Sequence, residues 1–204
     1  MKNKILSLAA LITLSVGLNA NILPNANQFQ LGLGAKSYNE TSLKNFSAID
    51  NTFSSNVSPT IGYGINNWFS ASYNYSRVNV EQIANQAESK THQLNLNWNT
   101  LETPLFRITS SAGLSFIEQN FSNAANDVEG TALNLNGTAY LSIYPFVSPY
   151  ASLGILGNPE EARIYEDTMT EHIGFVVSPT PMTDIVVDYE FSYKALSYGV
   201  QLFF

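Results

Sequence analysis

From residue 28 onward the chain is written in twos. Phe29, Leu31, Leu33 and Ala35 fall on one parity, and Gln28, Gln30, Gly32, Gly34 and Lys36 on the other. The same alternation recurs in Val57–Ile65, where Pro59, Ile61 and Tyr63 oppose Ser58, Thr60 and Gly62, and again from Phe69 to Ser76. Further runs place Leu94, Leu96 and Trp98 against Gln93, Asn95 and Asn97, and Phe106, Ile108, Ala112 and Leu114 against Arg107, Thr109, Ser111 and Gly113. Leu133, Leu135, Ala139 and Leu141 then oppose Asn134, Asn136, Thr138 and Tyr140, and Val147–Ile155 continues the pattern. Ile173–Val177, Ile185–Phe191 and Leu196–Phe204 complete it. A two-residue period puts one set of side chains on each face of an extended strand.

These segments predict ten strands of roughly nine to eleven residues, the length a tilted strand needs to cross a bilayer. Their connections alternate: long polar stretches at 37–56, 77–90, 118–130 and 158–170, and short turns at Asn66-Asn67, where asparagine tolerates the positive φ a two-residue hairpin needs, near Glu102–Pro104, at Pro145-Phe146 and at 178–183. The last outward connection, near Tyr193, is the exception in being short. The expected fold is all-β, an antiparallel up-and-down transmembrane barrel of ten strands, with eight as the alternative. The apolar face would meet lipid and the polar face the lumen. Aromatic residues gather at strand ends as an interfacial girdle: Phe29, Trp68, Phe69, Trp98, Phe106, Phe146 and Phe204 at the short-turn end, and Tyr75, Phe116 and Phe191 at the other. A soluble sandwich would carry Lys and Glu on its wet face, whereas here that face is Ser, Thr, Asn, Gln and Gly.

Composition adjusts this picture in a few places. Residues 1–20 read as a secretory signal peptide, with Lys2 and Lys4 before an apolar stretch from Ile5 to Leu18 and Ala20 at a plausible cleavage point. Residues 21–204 would then form the single barrel domain. The 204-residue chain has no cysteine, which excludes disulfides and thiolate metal sites, and its formal net charge of -7 argues against nucleic acid as a partner. No apolar run after residue 20 is long enough for a membrane helix.

The final residues carry a resemblance. Ser197, Gly199, Leu202 and Phe204 resemble the C-terminal assembly signal of Gram-negative outer-membrane β-barrels, with Leu202 where many members have an aromatic. The run from Phe175 to Tyr193 resembles the penultimate hairpin of the small opacity-protein or outer-membrane protein A type of barrel domain. That resemblance implies residence in the cell outer membrane of a Gram-negative envelope after export, contact with outer-membrane lipid, and engagement of the barrel-assembly machinery through the last strand. It implies a surface-interaction, adhesion-like or envelope role through outer loops that contact an extracellular ligand, and it supplies no catalytic residues. A narrow diffusion pore for small solutes is the alternative.

Charged residues on the polar face are few, and Lys36, Arg107, Asp188 and Glu190 are expected to form a lumen charge bridge. An unpaired charge in that setting is costly, so Arg107 is expected to meet Asp188 or Glu190, bracing the barrel or gating a pore. Inward glycines would either make room for Tyr140 and Tyr150 or leave the lumen open. Glu160, Glu161, Glu166, Asp167 and Glu171 make the fourth outer loop acidic, a pattern of a solvated face more than of a cation site. His92 and His172 lie at outer strand ends without a serine at recognisable spacing, so no enzyme activity and no cofactor are expected.

Overall fold

The computed structural model describes residues 23–38, 56–81, 86–121, 127–142, 146–157, 169–191 and 195–204. Residues 1–20, expected to be a signal peptide, and the acidic positions Glu160, Glu161, Glu166 and Asp167 lie outside them.

Ten antiparallel strands close into one barrel: β1 (Phe29–Tyr38), β2 (Asn56–Gly64), β3 (Phe69–Glu81), β4 (Gln86–Glu102), β5 (Phe106–Phe121), β6 (Val128–Leu141), β7 (Val147–Leu156), β8 (Met169–Thr180), β9 (Thr183–Glu190) and β10 (Ala195–Phe203). Each strand pairs with its sequence neighbours, and β1 pairs with β10 from Gln30↔Phe203 to Tyr38↔Ala195. Phe29 and Phe204 exchange backbone hydrogen bonds at 2.9 and 3.1 Å, which fastens the seam at its lower end. In hydrocarbon every backbone N–H and C=O needs a partner from the protein, and closure leaves no open edge there.

The faces are those the alternation predicts. Leu31, Ile61, Leu96, Leu135, Leu153 and Leu196 are among the many exposed apolar side chains, while Ser70, Asn97, Thr109, Ser115, Asp188 and Ser197 are buried. The molecule is therefore apolar outside and polar inside, the inverse of a water-soluble barrel. Of the C-terminal signal residues, Ser197 points inward and is buried, whereas Leu202 and Phe204 stand exposed on the outer face.

Two expectations need correction. The stretches 77–90 and 118–130, read as outer loops, are largely strand. β3, β4, β5 and β6 run for 13, 17, 16 and 14 residues, well past what the bilayer requires. Pairing of β2 with β3 ends at Thr60↔Asn74, and that of β6 with β7 at Asn134↔Leu156. The β3–β4 ladder continues to Glu81↔Gln86, and β5 with β6 to Gln119↔Val128. A four-stranded sheet thus projects from one side of the barrel on its outer end. The second correction concerns the turn at Asn66-Asn67, where neither residue takes the positive φ expected of a two-residue hairpin; among described non-glycine residues only Asn27 has one. Asn66 turns the chain with its side chain, whose Oδ1 accepts from the backbone N–H groups of Trp68 and Phe69 at 2.8 and 2.9 Å.

The outer membrane boundary can be read directly from adjacent rows of paired residues. Tyr73, Leu94, Leu114 and Leu133 form an apolar row. Next comes Tyr75, His92, Phe116 and Thr131, and then the charged row Arg77, Lys90, Glu118 and Glu129. Leu135 sits well inside the apolar belt, so Leu135→Arg is expected to destabilise the barrel in phospholipid vesicles by about 2–4 kcal/mol. Urea titration followed by tryptophan fluorescence measures it; an unchanged midpoint would place Leu135 in water.

Candidate functional site in the barrel lumen

The lumen has two unlike walls. One, on β3 to β6, is lined above Arg107 with uncharged side chains, including Asn74, Asn95, Asn136 and Tyr140. Asn97 on β4 binds Ser70 and Ser72 of β3 at 3.3 and 3.2 Å, and Asn134 on β6 donates to Ser115 of β5 at 2.9 Å. Several buried polar atoms on this wall, among them Asn95 Oδ1 and Asn136 Nδ2, make no hydrogen bond to the protein. Buried polar groups are ordinarily satisfied, so these atoms call for water in the lumen.

The other wall, on β8, β9, β10 and β1, carries the charges. Lys36 on β1 forms an ion pair with Glu190 on β9. The strand between them, β10, presents Ala195 and Ser197, which are short enough for the lysine stem to pass over. Glu190 is almost fully buried, whereas Lys36 keeps about 20% of its side chain accessible. Asp188 accepts from Tyr150 Oη at 2.8 Å through Oδ1 and lies 2.8 Å from His172 Nδ1 through Oδ2. Ser178 donates to Asp184 at the lower end of the same wall.

Of the residues expected to form the charge bridge, Lys36 and Glu190 meet. Arg107 meets neither Asp188 nor Glu190: it pairs with Glu102, its hairpin neighbour in the β4–β5 register. The local partner wins because it sits directly opposite at the lower rim, and reaching Asp188 would require Arg107 to span the lumen. His172 and Asp184 were absent from the expected lumen charges. The signal was present in their parity: 172 matches Gly174 and Val176, and 184 matches Val186 and Asp188.

Gly174 explains how two tyrosines fit. A Cβ there would lie 2.7 Å from the Tyr150 ring and hydroxyl and 2.3 Å from the Val187 carbonyl oxygen. Tyr140 packs against Tyr150 with ring centroids 5.5 Å apart, and both join Val176 and Val186 in a small apolar cluster inside the lower lumen. A second apolar cluster, Ile117 with Ala132 and Leu156, stands higher on β5, β6 and β7.

The two histidines lie on opposite faces. His92 is on the outer face, where Tyr73 Oη is 2.8 Å from its Nδ1 and the Tyr75 ring lies 5.0 Å away, making it part of the outer aromatic girdle. His172 is in the lumen, so the two share no site. Ser152 is opposite His172 across β7 and β8, but its hydroxyl binds Asn136 Oδ1 at 2.9 Å and accepts from Thr138 at 3.1 Å. Among the described residues no group of three or more acidic or histidine side chains could hold a metal ion.

The lower mouth is partly closed by the chain's own segment before β1. Leu23 and Pro24 are buried, and Asn27, at φ 61°, turns the chain into β1. Asn27 N–H donates to the Gly64 carbonyl at 2.8 Å and Gly64 N–H to the Gln28 carbonyl at 2.9 Å. Gly64 is required there, because a Cβ would lie 1.9 Å from the Asn25 carbonyl oxygen.

No family model matches the chain, and no curated protein matches it. Solved structures do. The N-terminal β-barrel domain of Pseudomonas aeruginosa OprF aligns over 88% of this chain and 98% of its own, at 14% identity and a TM-score of 0.44. Ail, the attachment invasion locus protein of Yersinia pestis, aligns over 88% and 99% at 11% identity and a TM-score of 0.40. The outer membrane protein OprG from Pseudomonas aeruginosa aligns over 89% and 97% at 12% identity and a TM-score of 0.40. At these identities the likeness is one of architecture, and no residue role transfers.

Removing one partner of the Lys36–Glu190 pair leaves a buried charge alone. Lys36→Met is expected to lower stability by about 3–5 kcal/mol, and the double variant Lys36→Met/Glu190→Leu to recover most of the loss. A double-variant cycle by urea unfolding measures this, and additive losses would show that the pair is not coupled. Gly174→Val is expected to displace Tyr150 from Asp188 and lower the unfolding midpoint, while Gly137→Ala, whose Cβ would meet nothing within 4 Å, leaves it unchanged.

Proposed function

We propose that this small outer-membrane-type barrel acts at the cell surface as an interaction protein, and that the projecting β3–β6 sheet is the part that engages a partner. One observation carries the reading: four strands extend beyond the bilayer where a barrel serving only to span it has no need of them. The pairing beyond Asn74 adds roughly 20 Å of strand, at about 3.3 Å per residue.

The outward face of this sheet is polar and charged. Arg77 and Lys90 both pair with Glu88, and Glu118 lies opposite Lys90. Partial burial works to raise the Glu88 carboxyl, but the Lys90 and Arg77 charges outweigh it and hold its pKa below the ordinary carboxylate value. The cluster is therefore ionic at neutral pH, and its contribution fades as pH falls through the carboxylate range. Such a face attracts partners by charge complementarity and loosens them with salt. Localisation in the outer membrane of a Gram-negative cell, export by a cleaved signal peptide and assembly through the C-terminal strand complete the proposal. They rest on the apolar exterior, the aromatic girdles and the pattern at Ser197, Gly199, Leu202 and Phe204.

A second reading, a narrow diffusion pore, is favoured by the unpartnered amides of the lumen. It predicts discrete conductance steps in planar bilayers, and a silent bilayer containing folded barrel counts against it.

Cells displaying the barrel are expected to adhere to immobilised extracellular-matrix protein. A variant lacking residues 79–88, which shortens the β3–β4 hairpin toward the rim, is expected to fold, as heat-modifiable migration would report, and to lose that adhesion. Equal adhesion by the shortened barrel would overturn the proposal.

A further inference from the structure

At the lower mouth, between the segment before β1 and the strand ends of β5, β6, β8 and β9, is a cavity of about 300 Å³. That is near the lower end of the range for small-molecule sites, roughly 300–1,000 Å³. Leu23 and Phe203 belong to its apolar lining, and Arg107, Tyr140 and Asp184, with several serines, to its polar one. Three features of these side chains stand out.

Asp184 is only 4% exposed, yet no cation lies within ion-pair distance of it among the described residues; the Ser178 hydroxyl is the hydrogen-bond donor on its Oδ1. A carboxylate this secluded is costly without a positive partner. Tyr140 is 3% exposed, and its hydroxyl, though near Thr109, makes no hydrogen bond with proper geometry. A buried phenol ordinarily finds a partner. Arg107 lines the same cavity, and its charge acts on Asp184 from outside ion-pair distance. Its guanidinium has five N–H donors, more than its Glu102 partner uses.

We propose that this cavity binds a small zwitterion, its ammonium group on Asp184 and its carboxylate between Arg107 and the Tyr140 hydroxyl. The ligand supplies what each wall lacks: a cation for the secluded carboxylate and an acceptor for the unpartnered phenol. A lone cation answers Asp184 but leaves the Tyr140 hydroxyl without an acceptor, and a lone anion leaves Asp184 without a counter-charge. The apolar lining of Leu23 and Phe203 leaves room for a short aliphatic side chain. The segment before β1 forms one wall, so the site faces the side on which the short turns lie. The site is independent of the outer sheet and of the role proposed for it.

The test is calorimetric titration of the refolded full chain in detergent micelles with glycine and alanine, alongside acetate and methylammonium as half-ligands. Saturable heat is expected with the two amino acids, and binding at least about tenfold weaker with either half alone. Asp184→Asn is expected to weaken glycine binding by at least about tenfold, and Tyr140→Phe, which removes only the hydroxyl, by several-fold. Tyr140→Phe keeps the test decisive where Asp184→Asn does not fold. No saturable heat with glycine, equal binding of a half-ligand, or unaltered binding in the folded variants would overturn the proposal.

Discussion

Satisfying the backbone without water is the constraint on which this structure depends. In a bilayer core each unpaired N–H or C=O costs several kcal/mol, so a strand can cross only when both edges are paired. The β1–β10 seam meets that demand, with the Phe29–Phe204 exchange at its lower end. Once the sheet is closed, the side-chain period of two assigns every residue to lipid or lumen. Leu31 and Leu33 outside, with Gln30 and Gly32 inside, follow from that closure rather than from any local preference.

The lumen then inherits a problem of its own. A space lined with polar groups must pair them internally or admit water. The two walls solve it differently. Lys36 meets Glu190 and Tyr150 meets Asp188 across an intervening strand, and His172 meets Asp188 from the neighbouring one. The amides of β3 to β6 are left partly open. Gly174 links packing to electrostatics, since the space it leaves is what lets Tyr150 reach Asp188. The lower end, where Asp184 has no ion-pair partner among the described residues, is where pairing stops and a binding site becomes possible.

Where one face meets lipid, the sequence is nearly transparent. Leu94, Leu96 and Trp98 against Asn95 and Asn97 leave little choice of strand or face. Legibility ends at the row of Tyr75, His92 and Phe116. Above it the outer face turns charged while the buried inner face mixes Ile117 with Ser89 and Gln119, so Arg77, Glu88, Lys90 and Glu118 carry no apolar period and read as loop although they are strand. Pairing of charges was legible only in part. Parity could place Lys36 and Glu190 in one lumen, and the same parity held His172 and Asp184. It could not foresee Arg107 turning to Glu102, because that choice depends on how far the β4–β5 ladder continues below Trp98.

The most direct measurement places an environment-sensitive fluorophore on a single cysteine at Leu96 or at its neighbour Asn97, in barrels refolded into phospholipid vesicles. A barrel with an apolar exterior and a wet lumen gives blue-shifted emission at Leu96→Cys, quenched by lipids spin-labelled in their acyl chains, and red-shifted, lipid-insensitive emission at Asn97→Cys. Equal lipid quenching at both positions, or the reverse order, would contradict the closed barrel with its polar side chains inside.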